Sequence, residues 1–216
     1  MTRHLPNFLT LCNLLTGMLA IVELFQGDFQ KVIFYILVAG IFDFLDGFAA
    51  RMLKVKSELG GQLDSLADMI SFSAVPSLYL FRYIQDVNGP YLAYFALLIA
   101  AFSALRLAKF NIDDTQTDSF MGLPTPANAV MITSLTFLPI SDLWMLGSII
   151  AASCLLLVAP LKMLALKFST FHLKGNEFRY VLIAGSVVLI ALMGIEGLVL
   201  IIPFYIILSI LANFVR

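Results

Sequence analysis

Charge is scarce in this chain: 13 Lys and Arg with 14 Asp and Glu make up 12% of 216 residues, against 61% hydrophobic. A soluble domain of this size carries about twice that share of charge, so an ordinary water-soluble globule is excluded and a polytopic membrane protein is indicated. No run of arginine or lysine is present and the net charge is -1, which leaves nothing to neutralise a phosphate backbone; no nucleic-acid partner is expected. Cysteine is scarcer still. Cys12 and Cys154 each fall inside an apolar segment, far apart, and read as small buried hydrophobes, neither a disulfide nor a metal pair. The first apolar run has no small-x-small cleavage site near its end, so it is expected to remain as a membrane anchor.

What the chain has in abundance is apolar runs of spanning length. Eight are predicted, near residues 8–25, 31–53, 62–84, 90–110, 124–140, 142–161, 178–194 and 197–214, since a span needs about 20 mostly apolar residues. The expected fold class is all-α, a polytopic membrane helical bundle of about eight transmembrane helices, with residues 1–216 as a single domain. The breaks between the runs differ in charge. One side collects Arg3, Arg51, Lys54, Lys56, Arg106, Lys109, Lys162, Lys167, Lys174, Arg179 and Arg216; the other has only Lys31 and Arg82. The positive-inside rule then places both termini on the cytoplasmic side of a cell membrane.

Against this apolar background, the stretch from Asp43 to Asp68 stands out. Asp43 and Asp46 are spaced i, i+3, with Gly47 and Ala50 continuing the same helical face; Asp64 and Asp68 are spaced i, i+4 on the next segment. Gly60 and Gly61 lie between and are expected to let the chain turn back, so that two antiparallel helices point both carboxylate pairs into one cleft. Simple solvation outside the hydrocarbon is disfavoured, because Asp43 directly follows Val-Ala-Gly-Ile-Phe and Asp68 directly precedes Met-Ile-Ser-Phe. An ionisable group at the centre of a span costs roughly 2.5 to 3.5 kcal/mol, so four aspartates need a compensating role. Oxygen ligands without histidine or cysteine suit Mg²⁺ or Mn²⁺, and two such ions sharing carboxylates suit phosphoryl transfer. Arg51 adds a fixed cation for a phosphate.

The string Asp43-x2-Asp46-Gly47-x2-Ala50-Arg51-x8-Gly60-x3-Asp64-x3-Asp68 resembles, at every specified position, the signature of the CDP-alcohol phosphotransferase family. That resemblance implies an integral-membrane enzyme that moves a phosphatidyl or similar group from a CDP-linked donor to an alcohol and releases CMP. It further implies that Asp43, Asp46, Asp64 and Asp68 bind divalent cations, Mg²⁺ or Mn²⁺ and two in number, with Asp68 also the general base. Gly47, Ala50, Arg51 and Gly60 would line the CDP site, and a homodimer is implied. The flanks PNFLTLCNLLTG (6–17), SFSAVPS (71–77), LRLAKFN (105–111) and GLPTPANA (122–129) resemble family members that make phosphatidylserine from CDP-diacylglycerol and L-serine. Members making phosphatidylglycerophosphate usually carry an arginine where this chain has Cys12-Asn13. Lys109 and Asn128 stand where an arginine and an alanine would be expected in the serine-using members.

Other residues have two readings. Asn7, Thr10 and Asn13 share a helical face and either hydrogen-bond the donor nucleotide or make a helix-start and interhelix polar contact. Arg106 and Lys109 either bind the acceptor or donor phosphate, or serve as snorkelling anchors; acceptor binding is favoured for Arg106. Asp113, Asp114 and Asp118 read as a solvated loop. His172, among basic residues that rest on anionic membrane headgroups, is assigned no catalysis. A cation-coupled transporter would scatter acidic groups near the midplane and show an internal repeat; this chain clusters them and has none. Glycerol 3-phosphate or inositol phosphate as acceptor would demand a further basic cluster.

Overall fold

A computed structural model describes residues 4–55, 57–87, 89–112, 120–164, 172–173 and 175–215; Arg3, Lys56, Asp113, Asp114, Asp118, Lys167, Lys174 and Arg216 lie outside them. Helix α1 (Leu5–Gln26) and α2 (Phe29–Met52) form an antiparallel pair, and α3 (Glu58–Asp68) runs through a π-helical turn, Met69–Ala74, into α4 (Val75–Asp86). The short α5 (Pro90–Ala93) leads through a 3₁₀ turn into α6 (Leu98–Ile112), followed by α7 (Thr125–Ser134), α8 (Leu143–Val158), α9 (Glu177–Met193) and α10 (Leu198–Val215). These helices coincide with the eight apolar runs. Length and apolarity alone qualify four helical stretches to cross a membrane: Leu5–Gln26, Phe29–Met52, Pro90–Ile112 and the 39 residues Glu177–Val215, with α8 a shorter apolar helix. The last stretch bends back at Gly194, and Gly185 of α9 lies against the Phe204 ring of α10. One departure from an all-helical chain is a two-residue pairing of β1 (Phe120–Met121) with β2 (Lys162–Met163).

Local chemistry fixes the hairpins. Pro6 sits in the first turn of α1, where a missing N–H costs nothing, and Gly27 closes the helix at φ 79° with its N–H on the Leu24 carbonyl. Asp28 then caps α2, accepting the Lys31 N–H at 3.0 Å. At the opposite end the expected turn at Gly60-Gly61 is not found. Left-handed backbone falls on Lys54 (φ 53°), Ser57 caps α3 by accepting the Gly60 N–H at 3.0 Å, and both glycines lie inside the helix. A good cap at Ser57 starts the helix early and leaves the glycines nothing to turn.

The outward face of α1, with Leu11, Leu15, Met18, Leu19 and Val22, is exposed and wholly apolar, as a lipid-facing helix must be. Its inward face, Thr10, Asn13, Thr16, Gly17 and Ala20, is small or polar, which lets helices approach closely. Gly17 is the tightest point: a Cβ there would stand 2.8 Å from Ser71 Cα. Ser71 belongs to the π turn, and Pro76 accounts for that turn, because it has no N–H to give the Phe72 carbonyl of a regular helix. The widened turn directly follows Asp68, whose carbonyl accepts the Ser73 hydroxyl at 3.3 Å.

Candidate active site

The packing of α2 and α3 on α1 brings the carboxylates together as the spacing predicts. Oxygens of Asp43, Asp64 and Asp68 all lie within 4.8 Å of one another. At such separations two like charges repel by roughly 3 kcal/mol even at an effective dielectric constant near 20, so the group calls for a counter-charge. No direct ion pair supplies it: among the described residues no lysine or arginine pairs with Asp43, Asp46, Asp64 or Asp68 within 4.0 Å. The donor set fits a hard divalent cation, since three carboxylates are gathered without histidine or cysteine at a spread that metal–oxygen distances of about 2.1 to 2.5 Å can close. Asp68 is 9% exposed, and its Oδ1 is buried with no hydrogen-bond partner while Oδ2 accepts from Thr125 at 3.5 Å. Asp46 stands slightly apart, with Oδ2 accepting the Thr10 hydroxyl at 2.6 Å.

Two clefts flank the carboxylates. The first, about 500 Å³, is lined by Asn7, Thr10, Asp46, Gly47, Ala50, Gly60 and Asp64, together with Pro6, Val55, Ser57, Glu58 and Gly61. The second, about 390 Å³, is lined by Asp43, Asp46, Gly47, Asp64 and Asp68 with Arg51, Arg106 and Thr125. Asp46, Gly47 and Asp64 form the shared wall. Arg51, grouped in sequence with Gly47 and Ala50, therefore lies in the second cleft rather than beside Ala50 in the first. A Cβ on Gly47 would meet only Arg51 Nη1, at 3.6 Å, whereas one on Gly60 would crowd Ser57 Oγ at 2.9 Å and Asn7 Oδ1 at 3.1 Å. Space at Gly47 is thus open to a ligand, and Gly60 is small because α1 packs there.

Arg106 is buried, 8% exposed, with Nε unpartnered, and it also lines a third cavity of about 490 Å³ with Lys109. Lys109 does not line the cleft that holds the carboxylates. Asn13, on the same face as Asn7 and Thr10, lines neither of the first two clefts. His172 is exposed, and its carbonyl accepts from Asn176. Cys12 and Cys154 are free thiols.

Sequence spacing missed Thr125, which is 57 residues from Asp68 and meets it only through the packing of α7. It also missed the mutual hydrogen bonds of Ser65 and Asn111, which tie α3 to the end of α6 beside the clefts. All three are polar residues within largely apolar surroundings, the one signal available.

Residues 3–159 match the CDP-alcohol phosphatidyltransferase family, and the chain belongs to it. The chain is 33% identical over 140 residues to the CDP-diacylglycerol–serine O-phosphatidyltransferase of Bacillus subtilis, covering 63% of this chain and 78% of that one. It is 36% identical over 129 residues to the protein of the same name in Helicobacter pylori, covering 59% of this chain and 54%, about half, of the relative. The Methanocaldococcus jannaschii protein of that name is 31% identical over 159 residues, with 73% and 72% covered.

Proposed function

We propose that this member of the family transfers the phosphatidyl group of CDP-diacylglycerol to the hydroxyl of L-serine, giving phosphatidylserine and CMP. The observation that carries the reading is the Asp43–Asp64–Asp68 group, drawn within 4.8 Å on facing helices between two clefts and left without a paired cation. Serine as the alcohol rests on the names of the relatives.

The first cleft takes the cytidine diphosphate end of the donor. Asn7 and Thr10 offer polar contacts, and Gly47 and Ala50 leave the backbone open to close approach, while Gly60 lines the same cleft where α1 packs on it. Asp43, Asp46, Asp64 and Asp68 hold divalent cations, Mg²⁺ or Mn²⁺ and two in number. Such ions, when bound, polarise the phosphate oxygens and offset the charge that builds up in the transfer. Arg51, in the second cleft beside Gly47, contacts the donor phosphates. Arg106 holds the serine carboxylate through two parallel hydrogen bonds, a geometry suited to guanidinium, with Lys109 adding positive potential from the adjoining cavity.

Asp68 accepts the serine proton. Thr125 makes a long 3.5 Å contact to Oδ2 and Oδ1 has no partner, so Oδ1 takes the proton as the serine oxygen bonds to the phosphatidyl phosphorus. The bond from that phosphorus to the CMP oxygen breaks in the same step. No phosphatidyl-enzyme forms, and the phosphorus inverts.

We further read residues 1–216 as one domain whose eight helical segments all cross a cell membrane, with both termini and the clefts cytoplasmic. The chain works as a homodimer, with its basic connection between α8 and α9 on anionic headgroups. The deciding experiment incubates the purified protein with CDP-diacylglycerol, Mg²⁺ or Mn²⁺, and L-serine, glycerol 3-phosphate or inositol phosphate in turn. CMP release and phosphatidylserine are expected with serine alone, and both stop in excess EDTA. Full turnover in EDTA, or product only with a phosphorylated alcohol, overturns the reading.

A further inference from the structure

Asn13 is 0% exposed, yet neither its amide nitrogen nor its amide oxygen has a hydrogen-bond partner. Burying both groups unpaired costs their full desolvation, and packing alone would favour leucine, which has nearly the same shape. Its place in the bundle suggests what the amide is kept for. Thr10, one turn earlier on α1, donates to Asp46 at 2.6 Å. Because α1 and α2 are antiparallel, three residues onward from Thr10 and three back from Asp46 both move about 4.5 Å in the same direction. That step brings Asn13 level with Asp43. The Asn13 carbonyl also accepts the Ser71 hydroxyl at 3.0 Å, and Ser71 lies three residues beyond Asp68. Asn13 therefore stands where α1 meets both helices that carry the carboxylate group.

The carboxylates are unequally supported. Thr10 orients Asp46 and Thr125 makes a long 3.5 Å contact to Asp68, while Asp43 and Asp64 have no hydrogen-bond donor among the described residues, and of these two it is Asp43 that stands level with Asn13. An amide without an acceptor thus lies level with a carboxylate without a donor. We infer that Asn13 is the positioning residue for Asp43: its amide nitrogen would donate to one Asp43 oxygen when the Asp43–Asp64–Asp68 group, which already contains the other, holds a divalent cation. The inference rests on the cation reading proposed above. Hydrogen bonds of this kind fix a ligand's orientation, and their loss weakens metal binding about 10- to 100-fold.

The test measures Mn²⁺ binding to the full chain in detergent by calorimetry, together with the thermal midpoint in chelator. For Asn13→Leu, the Mn²⁺ dissociation constant should rise about tenfold or more, while the midpoint in chelator stays level or rises, because an unpaired amide has been removed. A merely structural asparagine would not move the two readouts apart. Asn13→Ala leaves a small void and should lower the midpoint, but with the same loss of Mn²⁺ affinity, and it carries the test if the leucine variant does not fold. Parental Mn²⁺ affinity in either folded variant overturns the role of Asn13 and leaves the cation reading standing. No Mn²⁺ binding by the parent chain overturns both.

Discussion

The two ends of the helical bundle treat charge in opposite ways. At the end formed by the α1–α2 and α4–α5 turns, charges are matched to one another: Lys31 reaches Glu23 at 3.3 Å and Asp28 at 3.1 Å, and Arg82 reaches Asp86 at 3.5 Å. At the other end Asp43, Asp46, Asp64 and Asp68 share their clefts with Arg51 and Arg106, yet none of these four acids meets a base within 4.0 Å among the described residues. The same residue types are present at both ends. Matched charges near the surface require nothing further, whereas charges held apart around a cavity are completed only by a ligand that brings both signs. A metal-bound diphosphate and a zwitterionic amino acid are such ligands. Separation of charge, more than its amount, marks the end that holds the candidate site.

The largest effect is expected from removing one carboxylate at the unmatched end. Asp68→Asn should lower kcat by a factor on the order of 10² or more, the usual scale for loss of a general base, while the thermal midpoint in chelator stays level or rises because a like charge has gone. Activity and melting curves on one purified sample measure both. Near-normal kcat would remove the proton-accepting role. A large fall in the midpoint would show that Asp68 is a structural residue.

A smaller effect is expected where the charge is kept and its shape changed. Arg106→Lys leaves a cation in the second cleft but replaces a planar fork with a point charge. The KM for serine should rise about tenfold, the scale of one charge-assisted hydrogen bond, with that for CDP-diacylglycerol little changed. Initial rates with each substrate varied in turn measure the split. If the donor KM rises instead, Arg106 serves the phosphates and the two arginines exchange roles.

How far these features could be read from sequence depended on the distance over which the chemistry acts. The helices were legible because apolar length is a local property, and Asp43, Asp46, Asp64 and Asp68 were legible because each pair repeats within one helix. Gly60 and Gly61 were misread as a turn, since glycine permits left-handed backbone without requiring it and Ser57 had already begun the helix. Thr125 and the placement of Arg51 depend on which helices pack together, which no spacing encodes. The β1–β2 pairing escaped for a similar reason: two residues of ladder leave no periodicity.

The smallest effect should come from the matched end, and there the prediction concerns pH. Lys31→Ala removes the ammonium from Glu23 and Asp28 but keeps the backbone N–H that Asp28 caps. Exposed pairs of this kind contribute little, so activity should be unchanged and the thermal midpoint only slightly lower at neutral pH. The Lys31 N–H, and then its ammonium, hold the Asp28 carboxyl below the usual carboxylate value. A carboxyl whose folded pKa is depressed contributes stability above its unfolded pKa and loses it as pH falls through the folded one. The difference between variant and parent should therefore be present at neutral pH and shrink as the medium is acidified through the carboxylate range. High salt at neutral pH should shrink it too, by screening the pair. Melting curves at several pH values and salt concentrations measure this. A large loss of activity in Lys31→Ala would mean that the matched end is coupled to the clefts after all.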